Sequence, residues 1–265
     1  MAQTPDLSQQ DIILLNTSGG KDSQVMIEVV TEEIRRQGFT GWVIAVHADL
    51  GRVEWAGTKA LAERQAAFYG VERFEVVSRD GDLLDQIIDR RISLDAKGKH
   101  DAPAWPSSNA RFCTSDQKTG QVVKLMTALV KEWQAVHGKA PVRILNCLGI
   151  RAQESPARAK KVAYGPDSAS NGKRTVTRWL PIFDMTEAEV WDRIRTSGAP
   201  YHVAYDLGMS RLSCVFCVFA SKADLLIAAK HNPELAREYV EVEIQVRSRF
   251  TEARSMAEIV AEAGI

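Results

Sequence analysis

The stretch Ile12-Ile-Leu-Leu-Asn-Thr-Ser-Gly-Gly-Lys-Asp-Ser23 decides how this chain folds. Ile12 to Leu15 form an uninterrupted apolar run and read as a buried strand. Ser18 to Ser23 form a turn, after which Val25, Met26, Ile27, Val29, Val30 and Ile34 recur with the broad apolar face of a helix. Strand, glycine-rich turn and helix N-terminus together cradle phosphates. Glycines let the backbone approach an anion closely, and the N–H groups of the first helical turn point at it. Lys21 adds a positive charge, Ser18 and Ser23 add hydroxyl donors, and Asp22 can hold a magnesium ion. The spacing is not that of a Walker A loop.

The 265 residues are 45% hydrophobic and 26% charged, enough for one large α/β domain or a domain with an appendage. With 34 basic and 34 acidic residues the net charge is zero, so bulk charge advertises neither nucleic acid nor membrane. The opening residues lack the basic and apolar regions of a signal peptide, and no apolar run reaches membrane-spanning length. These features predict a soluble cytoplasmic protein.

Further strands are expected at Trp42–Val46, Phe74–Val77 and Arg143–Leu148, with helices over Val53–Tyr69 and Leu83–Ile92. The alternation predicts a doubly wound, mostly parallel α/β sheet with helices on both faces. Ligands in such sheets sit beyond the C-terminal ends of the strands. That places Ser18–Ser23, His47-Ala48-Asp49 and Gly149-Ile150-Arg151 on one rim. Thr114–Gln117 and Thr186–Glu189 have the capping-box pattern, and Ser155-Pro156 reads as a cap followed by proline. Ser93–Arg111 and Tyr164–Lys173 read as loops, the second a mobile one, and Pro233–Ala263 is helical in pattern. The expected division is a nucleotide-binding α/β domain over 1–220 and a helical C-terminal extension over 221–265.

Ser18-Gly-Gly-Lys-Asp-Ser23 resembles the PP-loop of ATP pyrophosphatases, which cut ATP between the α and β phosphates. Three more segments match one branch of that superfamily, in order. Leu148-Gly-Ile-Arg-Ala-Gln-Glu-Ser-Pro-Ala-Arg158, Leu180-Pro-Ile-Phe-Asp-Met-Thr-Glu-Ala-Glu-Val-Trp191, and Tyr201-His-Val-Ala-Tyr-Asp-Leu-Gly208 followed by Cys214-Val-Phe-Cys217 resemble segments of PAPS reductases and their relatives. That branch includes sulfate reductases and the ATP pyrophosphatase component of DNA phosphorothioation systems. The resemblance implies binding of ATP with Mg²⁺ at Ser18, Gly19, Gly20, Lys21, Asp22 and Ser23, with Asp49, Gly149 and Arg151 alongside. Lys21, Asp22, Arg151 and Arg158 are its expected catalytic set, since guanidiniums are common forks for phosphate and sulfate oxygens. Glu154 and Asp49 suit a metal, ribose or adenine edge. Trp191 is expected to pack in the core.

Four cysteines in such a chain point to metal binding or catalysis ahead of disulfides. Cys214-x-x-Cys217 by itself is ambiguous between zinc, an iron–sulfur cluster and a redox pair. Cys113, just before the Thr114 cap, faces a helix dipole that favours its thiolate. Cluster-bearing adenylyl-sulfate reductases carry adjacent cysteines here, upstream of a lysine; this chain has Cys113-Thr114 and then Lys118. The resemblance therefore implies Cys113, Cys214 and Cys217 as three ligands of a 4Fe–4S cluster, with zinc as the alternative. The fourth iron would be open or bound by Cys147, for which a buried core thiol is the competing reading. His100 and His202 are the histidines able to complete a zinc site.

Three readings compete. In one, ATP is cleaved to AMP and pyrophosphate to activate an acceptor for sulfur transfer, with a sulfur donor such as a cysteine desulfurase and a DNA or RNA acceptor as partners. The basic residues Arg158, Lys160, Lys161, Lys173, Arg174 and Arg178 suit such a polyanion. In the second, the chain reduces PAPS or APS to sulfite, which needs a nucleophilic cysteine from a C-terminal motif; no cysteine follows Cys217 in this sequence. In the third, it is a non-catalytic nucleotide-binding module.

Overall fold

The computed structural model describes residues 4–138 and 140–265. In chain order, β1 (Ile12–Thr17), α1 (Lys21–Gln37), β2 (Trp42–Ala48), α2 (Thr58–Phe68), β3 (Arg73–Val77) and α3 (Leu83–Ala96) come first. They are followed by α4 (Phe112–Thr114), α5 (Gly120–His137), β4 (Val142–Leu148), α6 (Pro156–Ala159), β5 (Tyr164–Pro166) and β6 (Arg174–Trp179). The chain closes with α7 (Glu187–Ser197), α8 (Lys222–His231), α9 (Pro233–Gln245) and α10 (Met256–Ala263).

The elements form two compact units interleaved along the chain, whereas the sequence pattern suggested a contiguous division near residue 220. The first takes the described residues through Ala48, Gly57–Val77 and Val122–His202. It contains one sheet ordered β3-β2-β1-β4-β6-β5, parallel throughout except for the antiparallel edge strand β5. Side chains alternate across it. Ile13, Leu15, Ala45, Leu145 and Cys147 pack with Met26, Ile27 and Val30 of α1 and Ala66 of α2. On the other face Ile12, Leu14, Ile44, Val46 and Ile144 pack with Val122, Met126, Leu129 and Val130 of α5. Residues 12–15 of β1 are wholly buried, each aliphatic side chain contributing roughly 1.5–3 kcal/mol, so β1 anchors the unit. Strand order reverses between β1 and β4, and the turns that follow these two strands open at that switch point.

The second unit takes Asp49–Ala56, Ser78–Gln121 and Val203–Ile265. Its core joins Leu84 and Ile87 of α3, Leu225 of α8, Tyr239 and Val242 of α9 and Ile259 of α10 with Trp105, Phe216 and Phe250.

Several local expectations are corrected. The helix expected from Val53 starts at Thr58, because Gly51–Val53 is a short 3-10 turn and Gly57 takes φ +83° ahead of the first turn. Thr114 caps nothing: helical backbone already begins at Phe112, and Ser115–Thr119 forms a wide π-type turn that runs into α5. Helix α3 continues to Ala96, into the segment expected as loop from Ser93. Tyr164–Lys173 is half of an edge hairpin, with β5 paired to β6 and an Asn171–Arg174 bridge. The pattern over 233–263 is two helices, and Glu243 bridges the break by accepting the Phe250 and Met256 N–H groups at 2.5 and 2.8 Å. Thr186 and Ser155 cap as expected. Among the described residues no helix is long and apolar enough to cross a membrane.

Candidate functional site

The turn after β1 is built as an anion cradle. No side chain caps α1, whose N-cap is Gly20. Ser23 Oγ donates to the Gly20 carbonyl at 2.9 Å and accepts the Ser18 N–H at 3.1 Å, closing the turn on itself. Gly19 takes φ +70°. Gly149, just past β4, lies against the first turn of α1: a Cβ there would stand 2.7 Å from the Asp22 carbonyl oxygen and 2.8 Å from the Ser23 nitrogen. Glycine is required by that approach.

The cations around the turn are all matched by carboxylates. Lys21 is only 3% exposed and pairs with Glu187, the first residue of α7, at 3.2 Å. Arg151, equally buried, places Nε 2.5 Å from Asp22 Oδ1. Burial nonetheless pushes the Asp22 carboxyl above its usual range, outweighing the opposing pull of Arg151 and Lys21. Glu154 accepts the Arg151 backbone N–H at 2.8 Å and pairs with Arg158. Gln153 joins the set, accepting from Arg151 Nη1 at 2.9 Å and from the Glu187 N–H at 2.8 Å. Lys21, Asp22, Arg151, Glu154 and Arg158 are thus one charged network, in which Arg151 holds Asp22. Asp49 belongs to the other compact unit and accepts the Gly51 N–H at 2.9 Å.

A buried polar layer supports the turn from behind. Gln65 of α2 donates from Nε2 to Gln24 Oε1 and to the Pro200 carbonyl, both at 3.0 Å, and reaches the Gly19 carbonyl at 3.4 Å. Thr58 Oγ1 and His202 Nε2 are 3.1 Å apart, and burial holds the imidazole below its ordinary pKa. His47 Nδ1 lies 3.2 Å from the Thr17 carbonyl at the end of β1. Sequence reasoning assigned no such role to Gln24, Gln65 or Glu187. Glu187 lies within the quoted Leu180–Trp191 segment, but its partner is visible only in three dimensions.

The thiols divide as their burial dictates. Cys147 is fully buried in β4 within the apolar core, where burial pushes its pKa far up. The core-thiol reading fits it. Cys113, Cys214 and Cys217 line one cavity of about 30 Å³ in the second unit, with Tyr239, Trp105 and Phe216 among its walls. Cys113 lies in the first turn of helical backbone, one residue after Phe112. Burial raises the Cys113 thiol and pushes Cys214 up to about 12, while Lys118 pulls both down. Arg211 Nη2 is 3.5 Å from Cys217 Sγ. The donor chemistry suits a soft metal flanked by cations. Among the described residues, no three His, Cys, Asp or Glu side chains stand together closely enough to ligate one. His100 pairs with Asp95 at 3.1 Å; neither it nor His202 lines the thiol cavity.

The basic cluster contracts on folding. Arg174 is buried, donating to Thr127 Oγ1 and the Ala169 carbonyl at 2.8 Å each, and Arg158 is ion-paired. Lys160, Lys161 and Lys173 remain exposed.

Comparison with known proteins bears on this arrangement. A curated protein of Escherichia phage 186, described as an uncharacterized 37.8 kDa protein in the gpa 5′ region, is 31% identical over 135 residues. The match spans 50% of this chain and 37% of the phage protein. Phosphoadenylyl-sulfate reductase from Candida auris, in a phosphate complex, superposes with TM-score 0.43 at 15% identity, covering 80% of this chain and 82% of that one. NAD+ synthetase from Burkholderia pseudomallei gives 0.38 at 18% identity, covering 73% and 61%. U34-tRNA thiolase NcsA from Methanococcus maripaludis, with its [4Fe-4S] cluster, gives 0.40 at 14%, covering 98% and 73%. The phosphoadenosine phosphosulfate reductase domain profile matches residues 12–220, from the start of β1 to just beyond the Cys214-x-x-Cys217 pair. With its glycine-walled cradle and ordered motifs inside that match, the chain belongs to the phosphoadenosine phosphosulfate reductase domain family.

Proposed function

We propose that this chain is an ATP pyrophosphatase of that family, cleaving ATP to AMP and pyrophosphate to activate an acceptor for sulfur transfer. The observation that carries the reading is the uncapped N-terminus of α1 with Gly149 against it and buried Lys21 beside it. Backbone N–H groups aimed at one point and a buried ammonium are what a polyphosphate needs. An acceptor oxygen attacks the α-phosphorus, its bond to the bridging oxygen breaks, and pyrophosphate leaves with the electron pair. Lys21 exchanges Glu187 for the departing phosphates and offsets their charge. Arg151, locked by Asp22 and Gln153, orients the loop after β4. Sulfur then displaces AMP from the activated acceptor. Mg²⁺ accompanies the nucleotide.

Cys113, Cys214 and Cys217 would hold the metal centre, a 4Fe–4S cluster or zinc. A cluster there would supply the chemistry of handling sulfur. The partners in this reading are a sulfur-donor protein and a nucleic-acid acceptor met by Lys160, Lys161 and Lys173. The test is pyrophosphate release from ATP by wild type and by Lys21→Met. Loss of a charge-assisted hydrogen bond of about 1.5–3 kcal/mol predicts at least tenfold weaker ATP binding. Robust sulfite production from PAPS or APS with thioredoxin, without pyrophosphate release from ATP, would replace this reading with the reductase one.

A further inference from the structure

Two arginines of the basic cluster are matched within the fold: Arg158 by Glu154, and Arg174 by Thr127 Oγ1 and the Ala169 carbonyl. Arg178 is not. It is the penultimate residue of β6, half-buried, and its Nε is shielded from solvent. Among the described residues its guanidinium forms neither a hydrogen bond nor an ion pair. A shielded N–H without an acceptor destabilises a fold, so its retention calls for a state in which an acceptor is present. The C-terminal end of a parallel strand is also where such sheets meet their ligands.

The neighbours of Arg178 leave it open to an outside anion. It alternates with Trp179, which packs on the α1 side of the sheet, and so shares the α5 side with Val176. Beside it in register on β4 stands Asn146, whose Oδ1 accepts from Asn16 Nδ2 at 2.7 Å. Asn146 Nδ2 donates to Asp167 Oδ2 at 3.1 Å, and Asp167 Oδ1 accepts the Ala169 N–H at 2.9 Å. Both oxygens of that carboxylate are engaged, and neither with Arg178. On the other flank β5 presents Gly165 directly opposite Arg178. Opposed residues of an antiparallel pair share a face, and a Cβ at Gly165 would meet only Val162 Cγ1, at 3.7 Å. No side chain of β5 covers the guanidinium there.

Two strand spacings and a rise of four residues set the Arg178 Cα roughly 16 Å from that of Ser18. A phosphate seated on the first turn of α1 is beyond the reach of this guanidinium, so the anion it takes belongs to a different group. We propose that Arg178 anchors a phosphate ester of the acceptor, holding two of its oxygens with the Nε and Nη donors of one fork. The inference rests on the acceptor chemistry proposed above and names the residue and the group that hold the acceptor at the rim. Lys160, Lys161 and Lys173 attract a polyanion from solvent, and Arg178 fixes one of its phosphates.

The test measures, by calorimetry on the full-length protein, binding of a short single-stranded oligonucleotide and of inorganic phosphate. Mg²⁺ and a non-hydrolysable ATP analogue are present to occupy the cradle. Arg178→Gln is expected to melt no lower than wild type, because no group in the fold is paired with that guanidinium. It is expected to bind the oligonucleotide at least tenfold more weakly. Arg178→Lys keeps the charge without the fork and should recover only part of that loss. Gly165→Glu places a carboxylate opposite Arg178 and should weaken oligonucleotide binding to a similar extent, at no cost in melting temperature. Arg35→Gln, the same charge change in the exposed last turn of α1, should weaken it less than twofold. Equal oligonucleotide affinity in wild type and Arg178→Gln, or equal losses in Arg35→Gln, would overturn the proposal. So would a clear fall in the melting temperature of Arg178→Gln, the mark of a structural arginine, or a wild type that binds no oligonucleotide. A loss confined to inorganic phosphate would overturn it too, as the mark of a free-anion site. Pyrophosphate release from ATP on the same preparations separates the two readings. Release with oligonucleotide binding independent of Arg178 removes this inference alone, and Arg178-dependent binding without release removes the proposed reaction alone.

Discussion

Gly149→Ala tests the cradle most directly. The added Cβ would stand 2.7 Å from the Asp22 carbonyl oxygen, 2.8 Å from its carbon and 2.8 Å from the Ser23 nitrogen, all backbone atoms. Ordinary contact begins near 3.4 Å, so the first turn of α1 or the Leu148–Ile150 segment must yield by about 0.7 Å. Gly149 is not among the glycines with positive φ, so alanine carries no backbone penalty and the conflict is purely steric. Overpacking of this kind destabilises by about 1–3 kcal/mol. At about 2–4 °C per kcal/mol for domains of this size, the melting temperature should fall by roughly 2–12 °C. The N–H donors that would face phosphate sit on the displaced turn, and a shift approaching 1 Å in a positioned group can remove up to about 100-fold in activity. ATP affinity by calorimetry and pyrophosphate release should therefore both fall about tenfold or more. Gly172→Ala is the control, since a Cβ there meets nothing within 4 Å. Wild-type melting and ATP affinity in Gly149→Ala, or equal losses in the control, would refute the steric reasoning.

His202 should impose an acid-side slope on stability. Burial holds its folded pKa below 6.5, so the unfolded chain takes up the proton first; stability is full above about 6.5 and declines as pH falls toward the folded value. Urea midpoints from pH 7.5 to 5.5 should show this decline, and His202→Gln should flatten it. Glu187→Gln should tighten ATP binding about two- to fivefold, because it removes a half-exposed competitor for Lys21; weaker binding would show that Glu187 serves the nucleotide in another way. Cys147→Ala should lower the melting temperature while leaving metal content unchanged, whereas loss of metal in that variant would place Cys147 among the ligands.

The strand, turn and helix at residues 12–37 were legible because every signal there is local: a buried apolar run, paired glycines and a periodic helix face. Thr114 misled because the Thr-x-x-Gln spacing also occurs inside helices, and burial of Phe112 sets the start two residues earlier. Strand β6 was missed because Thr175 and Thr177 give a weak alternation after a turn-rich segment; its place is set by pairing with β4 and by the buried Val176 and Trp179. The sequence names Cys113, Cys214 and Cys217 together and they do line one cavity, but their spacing, too wide among the described residues to ligate one ion, is set by the packing around them and carries no signal in the sequence. The matching of each cradle cation to a carboxylate was equally hidden, since Lys21 and Glu187 lie far apart in sequence.

That matching separates the two cations that flank the turn. A buried pair that loses one member leaves an uncompensated charge, a penalty of about 3–5 kcal/mol. Arg151 and Asp22 form such a pair, additionally tied to Gln153 and Glu154. An incoming phosphate gains little by breaking it. The Lys21 pair differs, because Glu187 is 51% exposed and returns readily to water. A pair with one partner in water is screened more than one buried on both sides, so a phosphate replaces Glu187 at lower cost than it would replace Asp22. Lys21 is therefore the exchangeable charge and Arg151 the fixed one. Sequence alone, with Lys21 and Arg151 as equal candidates for phosphate contact, could not distinguish them. The distinction follows from which carboxylate holds each cation and how far that carboxylate is from water.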